Sequence, residues 1–165
     1  MGMWGYLHRV PSGRLSELLA SPAEIEAELY PTDNAERFPK YTVEKTWNAI
    51  EFILDRLAES DRIPWIGPLT EGEKTGISFH YGECWYRIPA DVKQIADTLG
   101  ALSKKDFRKG YMPELMAECN VYPGIWDREE EAEENFKYIW QWYEGLVKFY
   151  REAAKNGEGM LLHLG

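Results

Sequence analysis

The sequence predicts an α+β fold, in which a small mixed or antiparallel sheet packs with about five to seven helices. Apolar residues recur at steps of three and four in several segments, as in helices that bury one face. Short runs rich in aromatic residues lie at the start of the chain and at 77–88, and a short apolar run lies at the end. These runs are typical of strands, and prolines and glycines separate the two kinds of segment.

Length and composition limit the classes of protein to which the chain can belong. Its 165 residues fit a single domain over 1–165. The chain has 28 acidic and 19 basic residues, which gives a net charge of −9. Because this charge repels phosphate groups, we expect neither a nucleic acid nor a membrane as a partner. Two distant cysteines, Cys84 and Cys119, predict no disulfide framework, and no segment reads as a signal peptide or membrane span. We therefore expect a cytoplasmic protein.

The first third of the chain predicts one strand followed by helices. Gly2 to Val10 is strand-like and ends at a Pro-Ser-Gly turn. Ser12 to Tyr30 carries helical spacing that Pro22 interrupts, which predicts two short helices. Residues 31–41 are polar with two prolines and predict a loop. A long helix is expected from Thr42, since its apolar residues form one stripe: Val43, Trp47, Ile50, Leu54 and Leu57.

The middle of the chain predicts a loop, a pair of strands and further helices. Four prolines and glycines within 61–72 indicate a loop. Residues 77–81 and 84–88 predict two strands, or a strand and a bend, hinged at Gly82. An amphipathic helix follows over 92–102, and a short one follows Ser103, whose hydroxyl can cap it.

The last third predicts two helices and a closing strand. Pro113 suits the first turn of a helix, and Asp127 with Glu130 resembles a capping box at the start of the final helix. That helix has a wide apolar face, which predicts contact on more than one side. Asn156-Gly157 is a natural helix stop, and Met160 to Leu164 predicts the closing strand.

Four motifs, taken in this order, resemble the YfbM-like family of bacterial proteins, domain of unknown function 1877. They are the opening Met-Gly-Met-x-Gly-Tyr, the stretch Glu44 to Ile50, the Tyr81-Gly82 step before Val92 to Ala96, and Val121 to Trp126. The resemblance covers nearly the whole chain. It implies a bacterial α+β domain with a small sheet and several helices. Because the family has no established activity, the resemblance implies no mechanism and no cofactor.

One candidate pocket combines aromatic and titratable side chains. Glu51 stands between apolar Ile50 and Phe52, so burial would raise its pKa, although we expect it to face water. Trp65 and Trp85 are the tryptophans we expect to be exposed, where an indole can stack on a ligand. The candidate pocket residues are Tyr6, Trp47, Glu51, His80, Tyr81 and Trp85.

No residue constellation predicts catalysis or a metal. His80, Glu83 and Cys84 are close in sequence, yet a bend at Gly82 can equally send thiol and imidazole to opposite faces. A zinc site needs three or four ligands at recognisable spacing, which is missing here. His8 and His163 lie on terminal strands that could pair and contribute. We predict no catalytic residues, no metal and no cofactor. We expect the cysteines and histidines to be buried structural residues instead.

Three function hypotheses remain open at this point. The first is a non-catalytic protein-binding or regulatory module that docks a basic partner, immunity-like in one version, as size and charge suggest. The second is a small-molecule-binding protein or hydrolase with a pocket near Tyr6, Glu51, His80 and Trp85. The third is a homo-oligomer that uses the last helix. The oligomeric state itself has no sequence signal.

Overall fold

The computed structural model describes residues 2–165. The described residues form five strands: β1 (Gly5–Val10), β2 (Lys40–Glu44), β3 (Glu73–Phe79), β4 (Gly82–Arg87) and β5 (Gly159–Leu164). They form seven α-helices: α1 (Ser12–Ala20), α2 (Ile25–Leu29), α3 (Trp47–Glu59), α4 (Pro89–Ala101), α5 (Lys104–Arg108), α6 (Pro113–Glu118) and α7 (Ala132–Lys155). The predicted α+β class is confirmed. Between residues 2 and 165, no helix has the length and apolarity that crossing a membrane requires.

The sheet is open, and each of its neighbouring strand pairs is antiparallel. Its order is β2-β1-β5-β4-β3, so the last strand of the chain lies at the centre. Leu162 of β5 has Leu7 of β1 on one side and Trp85 of β4 on the other. All six residues of β5 are buried. The sequence left mixed and antiparallel sheets open, and the structure decides for antiparallel.

The sheet separates two apolar clusters, because successive side chains of a strand point to opposite faces. On one face Leu7, Met160 and Leu162 pack with α3, α4 and α7 in the larger cluster. On the other face Val10 and Leu161 pack with α1 and α2 in the smaller cluster. A side chain on one face of the sheet therefore packs in a different cluster from a side chain on the other face.

The predicted start of the long helix was wrong, and the predicted loop 31–41 is irregular only as far as residue 39. Lys40–Glu44 is a strand paired with β1, and α3 begins only at Trp47. Val43 fitted the helical stripe by spacing, but it is a buried strand residue. Pairing with β1 decided the local structure here, as tertiary context often does. Glu44 ends the strand with a φ of 47°.

The cap of α5 and the end of α7 agree with the sequence, whereas the start of α7 does not. Ser103 caps α5 by accepting a hydrogen bond from the backbone N–H of Asp106, and Gly157 ends α7 with a φ of 64°. The predicted capping box was wrong, since residues 129–131 form a 3₁₀ turn and α7 starts at Ala132. Within the described chain neither start has a side-chain cap. Acidic residues at the positive end of the helix dipole still favour this start.

Candidate functional site

Tyr6 and Trp47 lie in different surroundings. Tyr6, on β1, stacks on His163 of β5 with ring centroids 5.2 Å apart. That contact is on the sheet face of the smaller cluster. Trp47 is the first residue of α3 and stacks on Tyr122 with centroids 5.9 Å apart. The structure does not bring these two predicted pocket residues together.

The predicted pocket residues near the β3–β4 turn also separate. His80 and Tyr81 are both exposed in the turn and contact each other at 5.1 Å. Cys84 is buried in the smaller cluster, whereas Trp85 packs against the larger cluster on the opposite face. Burial raises the pKa of the Cys84 thiol to about 11. The alternation of β4 thus keeps Cys84 as a buried thiol, away from the exposed imidazole.

Glu51 is buried, so the expectation that it faces water was wrong. Only 8% of its surface is exposed. Its carboxyl accepts hydrogen bonds from the backbone N–H of Thr70 and from the Thr70 hydroxyl, the latter at 2.6 Å. Burial raises the pKa of Glu51 to about 7, and the bonds from Thr70 oppose that rise. The carboxyl therefore holds the loop that contains Thr70.

Three buried polar side chains from three elements hold the loop 61–72. Glu51 of α3 binds Thr70. The Tyr150 hydroxyl of α7 donates to the carbonyl of Pro68 at 2.6 Å. Arg87 of β4 donates to the carbonyl of Gly67. A loop held at three points within four residues is preorganised, as binding loops commonly are.

Arg87 is a buried cation without a carboxylate partner. Its residue is 5% exposed, and its guanidinium donates to backbone carbonyls, including that of Tyr86 at 3.0 Å. No carboxylate of residues 2–165 lies within ion-pair distance of it. Gly72 lies against the guanidinium at a φ of 113°, and a Cβ there would collide with Nη1. The loop is shaped around this charge, whose burial is costly unless an anion compensates it.

Arg87 lines a cavity of about 280 Å³ between the loop and α4. Trp65 is 54% exposed beside it, as the sequence predicted, and its indole N–H donates to Glu71 at 2.8 Å. The lining thus combines one guanidinium, three carboxylates, one amide and one indole. The lining residues are Trp65, Ile66, Gly67, Glu71, Gly72, Glu73, Arg87, Asp91, Gln94 and Ile95.

Comparison with known proteins places this fold. A family model described as domain of unknown function (DUF1877) matches residues 1–163. The chain belongs to this family. Protein YfbM of Escherichia coli strain K12 is 26% identical over 168 residues, covering 98% of this chain and 97% of the relative. The crystal structure of YfbM, a protein of unknown function from Escherichia coli, shares the fold with a TM-score of 0.69 at 20% identity, covering 98% of this chain and 99% of that one.

Membership in DUF1877 confirms the resemblance but brings no established activity, so the chemistry of this member has to come from its own residues. Sequence reasoning identified Trp65 and Glu51 but missed Arg87, Asp91 and Gln94. One signal was available for Arg87. It stands two residues after Trp85 and so shares the sheet face of that apolar residue, where a charge is unusual.

Proposed function

We propose that this DUF1877 chain binds a small zwitterion, of the amino-acid class, in the cavity that Arg87 lines. The buried guanidinium without a carboxylate partner carries the proposal. A ligand carboxylate would supply the missing anion, and the planar fork of arginine matches a carboxylate in two parallel hydrogen bonds.

The rest of the lining favours a ligand that also carries a positive charge. Glu71, Glu73 and Asp91 surround the same cavity, and the chain as a whole has a net charge of −9. A simple anion would be repelled by these groups. An ammonium group on the ligand would be attracted by them. The combination therefore supports one carboxylate and one ammonium in a single molecule.

The size and the apolar part of the cavity limit the ligand further. A volume of about 280 Å³ lies below the usual range of ~300–1,000 Å³ for ligand pockets, which suits a molecule with few heavy atoms. Exposed Trp65, with Ile66 and Ile95, offers surface for an apolar or cationic part of the ligand.

Calorimetric titration with the standard L-amino acids tests the proposal. Each amino acid is matched with its decarboxylated amine and its deaminated acid. We expect at least one amino acid to bind, and both of its single-charge analogues to bind at least tenfold more weakly, a change worth about 1.4 kcal/mol. Trp65→Ala should weaken the binding by a similar factor. Trp4→Ala is the matched control, since Trp4 is also partly exposed but lies outside this cavity.

Two results would contradict this function. One is the absence of any heat of binding and of any rise in melting temperature across the panel. The other is binding that Trp65→Ala and Trp4→Ala weaken equally, which would place the ligand elsewhere. Arg87→Lys gives a further check, because it keeps the charge and removes the fork.

Docking of a basic protein partner stays a second prediction, favoured by one surface. A groove between α6 and the 3₁₀ turn combines exposed Met112 with acidic Glu114, Asp127 and Glu129. An apolar centre with an acidic rim suits a basic, partly apolar segment. A partner captured from the host should dissociate when salt is added. The variant in which lysine replaces all three acidic residues should no longer capture it. Capture that survives the triple charge reversal would exclude this surface.

A further inference from the structure

A second polar cluster lies on the other face of the sheet, where β1 and β5 run side by side. His8 and His163 sit diagonally across the two strands, since His8 faces Leu161 and Tyr6 faces His163 in the register. Their Nε2 atoms are 3.3 Å apart. The hydroxyl of Tyr30, just after α2, lies 3.3 Å from Nε2 of His163. Nε2 of His163 therefore has two further potential ligand atoms within 3.3 Å, one on each of two other elements.

The spacing of these atoms fits a transition metal. Imidazole nitrogens bind Zn²⁺ at about 2.05 Å, and two ligand atoms 3.3 Å apart then subtend about 107° at the ion. That angle is close to tetrahedral. The distance from Nε2 of His163 to the Tyr30 oxygen gives the same angle. Among residues 2–165 no three His, Cys, Asp or Glu side chains form such a group, so the third ligand here is a phenol, which also ligates iron in some haem proteins.

The surroundings hold the rings in a ligating orientation. His163 Nδ1 lies 3.4 Å from the carbonyl of Leu164, which favours the proton on Nδ1 and the lone pair on Nε2. Metal-bound histidines are commonly oriented by such a bond from their second nitrogen. Tyr6 stacks on the His163 ring, and Phe79 packs against it at 4.7 Å. The two histidines are only 4% and 2% exposed.

Without a metal, a proton between the two Nε2 atoms accounts for the same separation. Both imidazoles are neutral near pH 7, since burial lowers the pKa of His8 to about 3 and that of His163 to about 4. One imidazole can then donate its N–H to the other. A metal ion that binds both lone pairs displaces that proton, as metal binding to histidine generally does.

A cavity of about 350 Å³ leads from the solvent to this cluster. His8 and Tyr30 line it together with charged residues of both signs. Lys40 and Arg37 are its cations, and Arg37 is paired with Asp33. Glu28, which is paired with Arg14, and Glu36 are its anions. An ion would therefore reach the cluster from the side of His8 and Tyr30, the two members that line this cavity.

We propose that His8, His163 and Tyr30 bind one divalent transition-metal ion of the class that prefers imidazole, such as Zn²⁺ or Co²⁺. This inference is independent of the proposed zwitterion site, which lies on the opposite face of the sheet. It differs from the sequence-based expectation of no metal. The sequence contained both histidines, but only the pairing of β1 with β5 places them side by side.

Titration of the metal-free protein with Co²⁺, followed by its visible absorption, tests the proposal. We expect one ion per chain with the absorption of a four-coordinate site, and displacement by Zn²⁺. His8→Gln and His163→Gln should abolish the spectrum, and Tyr30→Phe should change it and weaken the affinity about tenfold or more. His80→Gln is the matched control, because His80 is the chain's third histidine and is exposed in the β3–β4 turn.

Imidazole NMR of the wild-type protein gives a readout that does not depend on whether the variants fold. Zn²⁺ should shift the ring signals of two of the three histidines and leave those of His80 unchanged. The proposal is overturned if Zn²⁺ shifts the His80 ring, if no ring signal shifts, or if Co²⁺ absorption survives both His8→Gln and His163→Gln. An unchanged spectrum in Tyr30→Phe would remove the phenol from the ligand set and leave two protein ligands, too few for the site proposed here.

Discussion

At the scale of single residues, the informative positions are polar side chains that the fold buries. Glu51 and Arg87 are both buried, and they do not form an ion pair with each other. Each instead binds the backbone of the loop 61–72. Burial of an ionisable group is costly unless hydrogen bonds or charges compensate it. These two residues therefore indicate where the molecule depends on a precise loop conformation.

The buried carboxyl of Glu51 should make the stability depend on pH. Its folded pKa of about 7 lies above the ordinary value of 4.5, because burial, with Glu71 and Asp55 nearby, disfavours the charged form. The folded state therefore binds the proton more tightly, and this contribution is full below pH 4.5 and lost as pH rises through 7. We expect the free energy of unfolding of wild type, relative to Glu51→Gln, to fall by up to ~3 kcal/mol over this window.

Urea unfolding of both proteins at several pH values measures that difference, and other titrating groups cancel in it. Glu130→Gln is the control, because Glu130 is exposed. The free energies of unfolding of wild type and Glu130→Gln should differ by the same amount at every pH. A difference between wild type and Glu51→Gln that does not change with pH would show that the Glu51 carboxyl titrates normally in the folded protein.

At the scale of elements, the sequence identified the segments that carry their own signals. The cap at Ser103, the helix start at Pro113, the stop at Gly157 and the breaker-rich loop 61–72 follow from local chemistry, and they were confirmed. Strand β2 was missed because Lys40–Glu44 is a strand by virtue of its partner β1, and a partner is not a local property. The same limit applies to the site, since Arg87, Asp91 and Gln94 meet the loop only after folding.

The hydrogen bond from α7 to the loop 61–72 can be tested with two tyrosines of the same helix. Tyr150 donates to Pro68 of the loop, and Tyr143 donates to Leu99 of α4 at 2.7 Å, both from buried positions. We expect Tyr150→Phe and Tyr143→Phe each to destabilise by roughly 1–3 kcal/mol, because a buried carbonyl loses its donor. Only Tyr150→Phe should loosen the loop.

Amide hydrogen exchange of Thr70 reports on that loosening, since its N–H is bonded to Glu51. Exchange should accelerate in Tyr150→Phe beyond what the global loss of stability explains, and in Tyr143→Phe it should follow the global loss. Equal protection of Thr70 in the two variants would mean that the loop does not depend on α7.

At the scale of the whole molecule, the arrangement of the sheet decides which residues can meet. The order β2-β1-β5-β4-β3 pairs the first strand with the last, which brings His8 to His163 across 155 positions of sequence. Periodicity predicts that each strand exists and which residues share a face, but antiparallel strands can be ordered in many ways. The residues of the candidate pocket predicted from the sequence therefore lie on two different faces of the sheet. His8 and His163, by contrast, lie side by side on one face.

The central position of β5 predicts that folding requires the end of the chain. A protein that stops at Asn156 lacks Gly159–Leu164, whose backbone pairs with β1 and β4 and whose side chains are all buried. The sheet would divide into the strand pairs β2-β1 and β4-β3, and isolated two-stranded units are marginal in water. We expect the truncated protein to lose cooperative unfolding in circular dichroism. A peptide of residues 157–165 added in trans should restore it, because the peptide supplies the same backbone partners. Cooperative unfolding of the truncated protein without the peptide would show that the two clusters can fold on separate sheets.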